Sequence, residues 1–295
     1  MAATPPRTYT TLSSRGLRHD IFPMRLYHKA KKLGIWNPRD IDLAQDQQDW
    51  QQITGDHKER LRNLIFGFQA GEEAVTLDLL PLIMTMAHEG RLEEEMFLTT
   101  FLWEEAKHTE FFRRILDEVF EPQDRHIERS TNSGRDLFGE DLPRTMNVLL
   151  TDPSPENQVR ASVLYNMIIE GVLAETGYFS FSRMLNNSSA TAMPGLRQGL
   201  LLIQRDESRH IAYGVFLISR LVAENKSLWP LVEEQMHELF THVASNQREN
   251  GSPETVQAYS RQQFEKRLTR IARARTQTVE QVYQAAASEE AESAS

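Results

Sequence analysis

The stretch LTTFLWEEAKHTEFFRRIL, residues 98–116, decides how this chain folds. At 3.6 residues per turn, Leu98, Phe101, Leu102, Phe112, Ile115 and Leu116 line up as one apolar stripe, which Val119 continues. Glu105 and His108 fill the gap in that stripe. Three residues apart on a helix means about 60° around the axis, so both side chains point into the buried face. An acid and an imidazole in that position need a reason.

The pattern recurs. Around DESRH (206–210), the stripe Leu200, Ile203, Gly214, Leu217 and Leu221 is interrupted by Glu207 and His210. The stripe Leu61, Leu64, Phe68, Val75, Leu79 is interrupted by Glu72, and Val159, Val163, Met167, Leu173, Gly177 by Glu170. Four helices therefore each carry a carboxylate on the core face, and two add a histidine three residues later.

Spacing alone is weak, because nine histidines in a chain of 295 residues give about one Glu-x-x-His match by chance. A third match, EEQMH at 233–237, serves as a control. Its helix buries Leu228, Val232, Met236, Leu239 and Val243, which leaves Glu234 and His237 at the border and predicts a surface pair. Glu73 and Glu104 lie about 100° from the acids beside them, so they are expected next to the ligands or exposed. Glu104, four residues before His108, stays a rival ligand.

Burying four unpaired carboxylates costs several kcal/mol each, beyond the ~5–15 kcal/mol that stabilises a domain. Two divalent or trivalent cations would neutralise them together. There are no cysteines, which excludes disulfides, thiolate zinc sites and iron–sulfur clusters. Carboxylates and imidazoles favour iron or manganese. A net charge of −9 argues against nucleic acid as a partner, and the basic strip KRLTRIARAR (266–275) reads as a solvated helix face. No apolar run is long enough to span a membrane, and the N-terminus lacks the apolar core of a secretory signal, so a cytoplasmic location is expected.

Helical periodicity dominates from about residue 21 to 284. The long helices are predicted at about 56–90, 92–119, 154–184, 194–223, 228–246 and 253–284. An Asp56–Glu59 capping box, a Gly90 stop and a Ser154 cap with Pro155 mark their ends. Short connections within each pair and a long crossover at 120–153 predict an all-α, ferritin-like four-helix bundle with additional helices. Residues 21–284 read as a single domain between irregular, disordered segments at 1–20 and 285–295. One Glu from each of two helices and Glu-x-x-His from each of the other two is the known ligand template of ferritin-like dimetal carboxylate proteins. Glu72, Glu105, His108, Glu170, Glu207 and His210 are thus the expected ligands of an oxygen-activating dimetal site.

FQAGEEAVTLD (68–78), EEAKH, YNMIIEG (165–171) and DESRH together resemble the ligand-binding oxidases of the ribonucleotide-reductase small-subunit superfamily. The likeness begins at RLYHKAKKLGIWNPRDIDLAQD (25–46) and covers most of the ordered chain. It implies an O2-dependent oxidoreductase with one manganese and one iron ion, or di-iron as the alternative. It also implies a long-chain fatty acid near the metals, a homodimer, and a valine–tyrosine ether cross-link between Val75 and Tyr165. An acid and a tryptophan, here Asp206 and Trp36, would hydrogen-bond in series to the metal ligand His108. Helical arithmetic places Val75 toward the metals, but puts Tyr165 about 140° from Glu170, so Tyr165 needs a bulge to reach the site.

The nearest alternative is a radical-generating ribonucleotide-reductase subunit. In many of these a tyrosine stands four residues after the first histidine ligand, where this chain has Phe112, and the tail EEAESAS carries no tyrosine beyond Tyr283. A ferritin-type iron-binding protein fits less well, given the extra helices.

Overall fold

The computed structural model describes residues 9–125, 135–186 and 192–285, and among these there are helices and no strands. Two short helices, α1 (Phe22–Leu33) and α2 (Ala44–Gln52), precede the first long rod, α3 (Gly55–Asp78) and α4 (Leu80–His88). The second rod is α5 (Leu92–Arg114), extended by a π turn at Ile115–Val119. After the crossover, which holds a π turn at Leu137–Asp141 and α6 (Leu142–Val148), come α7 (Pro155–Ser162), a π segment (Val163–Ala174) and α8 (Glu175–Asn186) as one continuous rod. The fourth rod is α9 (Pro194–Glu224); α11 (Glu254–Ala272) and α12 (Val279–Ala285) pack on it, and α10 (Trp229–Glu249) packs on the third rod and α11.

The four rods are those expected, with corrections at their joints. The first breaks at Leu79, because Pro81 lacks the N–H that a continuous helix would use. It stops at Gly90, whose φ of +70° places Gly90 N on Ala87 O at 3.1 Å and Arg91 N on Met86 O at 3.0 Å. Those two bonds are a Schellman cap, which favours glycine. The predicted cap at Asp56 is replaced, since α3 starts at Gly55 with Thr54 at its N-cap. Ser154 does stand at the N-cap of α7 with Pro155 in the first turn, and neither Thr54 nor Ser154 makes a side-chain cap bond. The last predicted helix is two, parted by a 3-10 turn at Arg273–Arg275. Within the basic strip Arg267 is buried, against Gln263 and Glu175, so that strip is only partly a solvated face.

The start of α9 is set from a distance. Asp46 of α2 accepts from Gly195 N and Leu196 N at 2.8 and 2.7 Å, and Asp49 accepts from Ala192 N and Met193 N at 2.9 and 2.7 Å. Carboxylates at orphan amides of a helix N-terminus satisfy them and complement the helix dipole. The sequence 36–50 reads as a lead-in to the first long helix; it is instead the clamp that fixes the register of the fourth. Residues 1–8 and 286–295 lie outside the described residues, so most of the two terminal segments expected to be disordered does too. Residues 9–20 carry a 3-10 turn at Thr10–Leu12, and Arg15 pairs with buried Glu93 at 2.9 Å.

The apolar core lies on both sides of the middle of the bundle. Phe97, Phe101, Met167 and Tyr213 fill one side, and Phe111, Phe112, Phe181 and Ile203 the other. Between them sits a cluster of acids and imidazoles.

Candidate metal centre

All six expected ligands meet there, supplied by α3, α5, the π segment and α9. Glu105, His108 and His210 are fully buried, and Glu72, Glu170 and Glu207 are at most 5% exposed. One atom each of Glu72, Glu105, His108 and Glu207 lies within 4.8 Å of the others, and the same holds for Glu105, Glu170, Glu207 and His210. Glu105 and Glu207 belong to both groups, so the two groups adjoin and share two carboxylates. His108 Nδ1 stands 3.5 Å from Glu72 Oε2, 3.5 Å from Glu105 Oε2 and 3.4 Å from Glu207 Oε1. His210 Nδ1 stands 2.9 Å from Glu105 Oε1, 3.8 Å from Glu170 Oε1 and 3.6 Å from Glu207 Oε2.

The donor atoms show what the cluster fits. Both oxygens of Glu105, Glu170 Oε1, Glu207 Oε2 and Nδ1 of both imidazoles are buried without a hydrogen-bond partner. Orphaned buried polar atoms are rare in folded proteins, and these all converge on one volume. A pair of cations bound by oxygen and nitrogen donors would satisfy every one of them.

The opposite nitrogens are occupied. His108 Nε2 faces Asp206 Oδ2 at 3.4 Å, and His210 Nε2 faces Glu104 Oε2 at 2.9 Å. A carboxylate only accepts, so each holds the proton on Nε2 and leaves the Nδ1 lone pair for the centre. The pairing is crossed: the acid before Glu207 holds the histidine of EEAKH, and the acid before Glu105 holds the histidine of DESRH. Trp36 Nε1 donates to Asp206 Oδ2 at 2.7 Å, and Lys107 Nζ lies 3.0 Å from the same oxygen. Arg209 joins the two acids, at 2.5 Å from Glu104 Oε1 and 2.5 Å from Asp206 Oδ1. Trp36, Asp206 and His108 thus form a hydrogen-bonded series, and Glu104 faces Nε2 of His210. Glu73 is exposed, as are Glu234 and His237 of the control motif.

Burial and mutual repulsion disturb the ionisation of the metal-free cluster. Burial pushes Glu72 up to about 8, and pushes Glu170 well above the carboxylate range with Glu207 adding to it. Burial acts the same way on Glu105, but the imidazoles of His108 and His210 outweigh it and bring its carboxyl down to about 2. Burial would lower both histidines, yet the surrounding carboxylates hold them well above their ordinary value. Asp206 is held well below the usual range, since His108, Lys107 and Arg209 overcome its burial.

The π segment explains Tyr165. Its i→i+5 bonding widens the turn, so residues five apart come back to nearly the same face. Tyr165, fully buried, donates to Val75 O at 2.9 Å, which brings together the two residues that ideal-helix arithmetic kept apart. Within the same segment Asn166 Nδ2 donates to Glu170 Oε2 at 3.0 Å and is itself set by Ser162, whose Oγ lies 2.9 Å from Asn166 Oδ1. Gly214 makes the approach possible, because a Cβ there would lie 2.2 Å from that of Asn166. The sequence does not single out Asn166: nothing in its spacing separates it from a packing residue.

A cavity of about 250 Å³ runs from the cluster outward. Its inner end holds Glu72, Glu105, Glu170 and Glu207, and its walls include Phe68, Phe138, Ile169 and Leu173.

The sequence matches the family described as "Ribonucleotide reductase, small chain" over residues 23–271. Among solved structures, the chain is similar to an R2-like ligand-binding oxidase from Sulfolobus acidocaldarius, with 39% identity and a TM-score of 0.83 over 94% of this chain and 98% of that one. It is also similar to a phenylalanine-for-glycine variant of an R2-like ligand-binding oxidase with an anaerobically reconstituted Mn/Fe cofactor. There the identity is 38% and the TM-score 0.82, over 89% of this chain and 98% of that one. With that extent of likeness and this ligand constellation, the chain belongs to the ribonucleotide-reductase small-chain family, among its R2-like ligand-binding oxidases.

Proposed function

We propose that this chain is a dimetal oxidase in which Glu72, Glu105, His108, Glu170, Glu207 and His210 hold one manganese and one iron ion. The observation that carries the reading is the convergence of buried, unpartnered carboxylate and Nδ1 atoms on one volume while both Nε2 atoms are engaged. Solved relatives are described with Mn/Fe cofactors, which supports the choice of metals. When bound, two such ions supply multi-electron reduction of O2.

The chain's own residues do the rest. Asp206 and Glu104 fix the two imidazoles, and Trp36, Lys107 and Arg209 hold those acids in place. Phe101 stacks on His210 at a ring distance of 3.6 Å and keeps water from that side. Tyr165 is held against Val75, and we assign this pair to an ether cross-link. Forming that bond removes the phenolic hydrogen of Tyr165 and one C–H hydrogen of Val75; the two electrons and two protons leave with the reduction of O2. The cavity, apolar along its walls and metal-facing at its inner end, suits a long-chain fatty acid with its carboxylate innermost. Two trivalent ions on four carboxylates would leave the centre net positive, which suits an anionic head group.

Phe112 packs on Phe68 at 5.1 Å and offers no phenol for storing a radical, which sets the oxidase apart from a radical-generating subunit. Among the described residues no helix is long and apolar enough to cross a membrane. A cytoplasmic homodimer completes the proposal, supported by the exposed apolar strip Leu77, Leu80 and Met84.

The test is aerobic reconstitution with manganese and iron, followed by elemental analysis, lipid extraction and mass spectrometry. One manganese and one iron per chain, a fatty acid, and Val75 and Tyr165 peptides joined with loss of two hydrogens are expected. Zinc alone, or no stoichiometric metal, overturns the reading.

A further inference from the structure

A second buried acid is left unexplained by the centre. Glu94 of α5 is 2% exposed, and its carboxylate takes hydrogen bonds from two phenols: Tyr213 on Oε2 at 3.1 Å and Tyr283 on Oε1 at 3.5 Å. Arg220 Nε and Arg91 Nη1 stand 3.5 and 3.7 Å from Oε1, while burial outweighs them and holds the Glu94 carboxyl above its ordinary value. A buried ion pair is satisfied by its partners alone, so two phenols on one carboxylate call for a separate account.

The two tyrosines face opposite ways. Tyr213 is fully buried and follows His210 by three residues on α9, about 4.5 Å along the axis. Aromatic rings fill the space between: Phe101 lies 3.6 Å from the His210 ring, Phe97 6.1 Å from Phe101, and Tyr213 5.1 Å from Phe97. Tyr283 of α12 is only half-buried, edge-on to Phe216 at 5.1 Å, with Arg18 over its ring at 5.6 Å. One phenol is thus packed toward the metal centre and the other reaches the surface, with one carboxylate between them.

We infer that Tyr213, Glu94 and Tyr283 form a relay that reduces the oxidised centre by one electron at a time when no substrate consumes its oxidising power. The inference rests on the oxidase reading above. In the first step Tyr213 gives an electron to the oxidised centre and its phenolic proton to Glu94 Oε2, which leaves a neutral phenoxyl and a carboxylic acid. In the second, Tyr283 gives an electron to that phenoxyl and its proton to Glu94 Oε1, while Oε2 returns its proton to Tyr213. A one-electron reductant in solution then reduces the Tyr283 phenoxyl, which recovers its proton from Glu94. No heavy-atom bond forms or breaks, and the net change is one electron delivered to the centre. Glu94 acts as the positioning and proton-holding group.

The experiment uses the Mn/Fe-loaded enzyme, chemically reduced and mixed with O2 without added substrate, with freeze-quench electron paramagnetic resonance as readout. A tyrosyl radical is expected in the wild type, at least tenfold weaker in Tyr213→Phe. In Tyr283→Phe it should persist, with decay in ascorbate slowed about tenfold. Metal content and O2 uptake, measured on the same samples, should match the wild type in both variants. Incorporating 3-fluorotyrosine at position 213 of the Tyr283→Phe variant, where the radical stays, leaves the packing intact and should add fluorine splitting to the signal, which also separates it from any radical on Tyr165. O2 uptake with no radical, or a radical unaltered by Tyr213→Phe or by the fluorinated residue, overturns the relay and leaves the oxidase reading standing. Loss of metal binding or O2 uptake in the wild type overturns both.

Discussion

Tyr165 Oη and the main-chain oxygen of Val75 are 2.9 Å apart, although the two residues sit on different rods and Tyr165 is on the wrong side of an ideal helix. The π segment makes the contact, and the phenol is buried among four carboxylates. Burial, followed by the charges of Glu105, Glu170, Glu207 and Glu72, holds its pKa well above the ordinary tyrosine value, so the group stays a neutral hydrogen-bond donor. Tyr165→Phe should retain both metals and lose the cross-linked peptide completely. Its stability before oxidation should fall by about 1 kcal/mol, the worth of one buried hydrogen bond. Intact-mass and denaturation measurements on the same variant check the two effects separately.

Glu104 and Asp206 hold the histidines of each other's motifs. Glu104→Gln should weaken metal binding on the His210 side by roughly 10–100-fold and spare the His108 side. Equilibrium titration with manganese, followed by its paramagnetic signal, resolves the two sites. Equal weakening of both would show that the crossed pairing does not control affinity. Asp206→Ala should be the more destabilising change, by about 3–5 kcal/mol, because it removes the carboxylate that buried Lys107 pairs with and one of the two acids on Arg209.

Asn166 leaves Glu170 only one oxygen, Oε1, free for the centre. Asn166→Ala releases Oε2, so the site formed by Glu170 and His210 should change its coordination and its paramagnetic spectrum. The loss of the buried hydrogen bonds should cost about 1–3 kcal/mol. A spectrum identical to the wild type's would remove Asn166 from any part in shaping the site.

Leu173 lines the cavity. Leu173→Trp should shorten the fatty acid that copurifies, or exclude it, without changing metal content. Native mass spectrometry and gas chromatography of the extracted lipid measure this, and an unchanged chain-length distribution would place the ligand elsewhere.

Acidity should act on the metal-free chain in one direction. Glu72 is raised from 4.5 to about 8 in the folded state, and Glu170, His108 and His210 are raised as well. Each of these binds its proton more tightly folded than unfolded. Their stabilisation is therefore complete below the unfolded values and is lost as pH rises through the folded ones. The melting temperature of the metal-free protein should thus fall between pH 5 and 8. Metal binding displaces those protons, so the stabilisation given by added manganese should grow over the same interval. Differential scanning fluorimetry at fixed ionic strength reads both trends.

Helical periodicity is a local property, and it was enough to find the bundle and the six buried side chains that meet in its middle. Glu105 and His108 stand out because an apolar stripe exposes any polar residue placed in it, and the control pair Glu234–His237 shows that spacing without the stripe means nothing. Pro155 was visible too, whereas the periodicity carries one helix through Pro81 and misses the break at Leu79. What the sequence could not decide is every relationship between rods. Asp46 and Asp49 cap a helix that begins about 145 residues later, which no local signal announces. Glu104 reads as a rival ligand for His108 until the packing of α5 on α9 turns it onto His210. Tyr165 reaches Val75 only because the third rod widens into a π segment, a change in hydrogen-bond register that the apolar run VLYNMIIEGVLA does not encode in its composition. Sequence alone fixed which side chains face the core, since that follows from rotation about one axis. Which of them touch is set by the distance and angle between axes, and only the tertiary structure decides that.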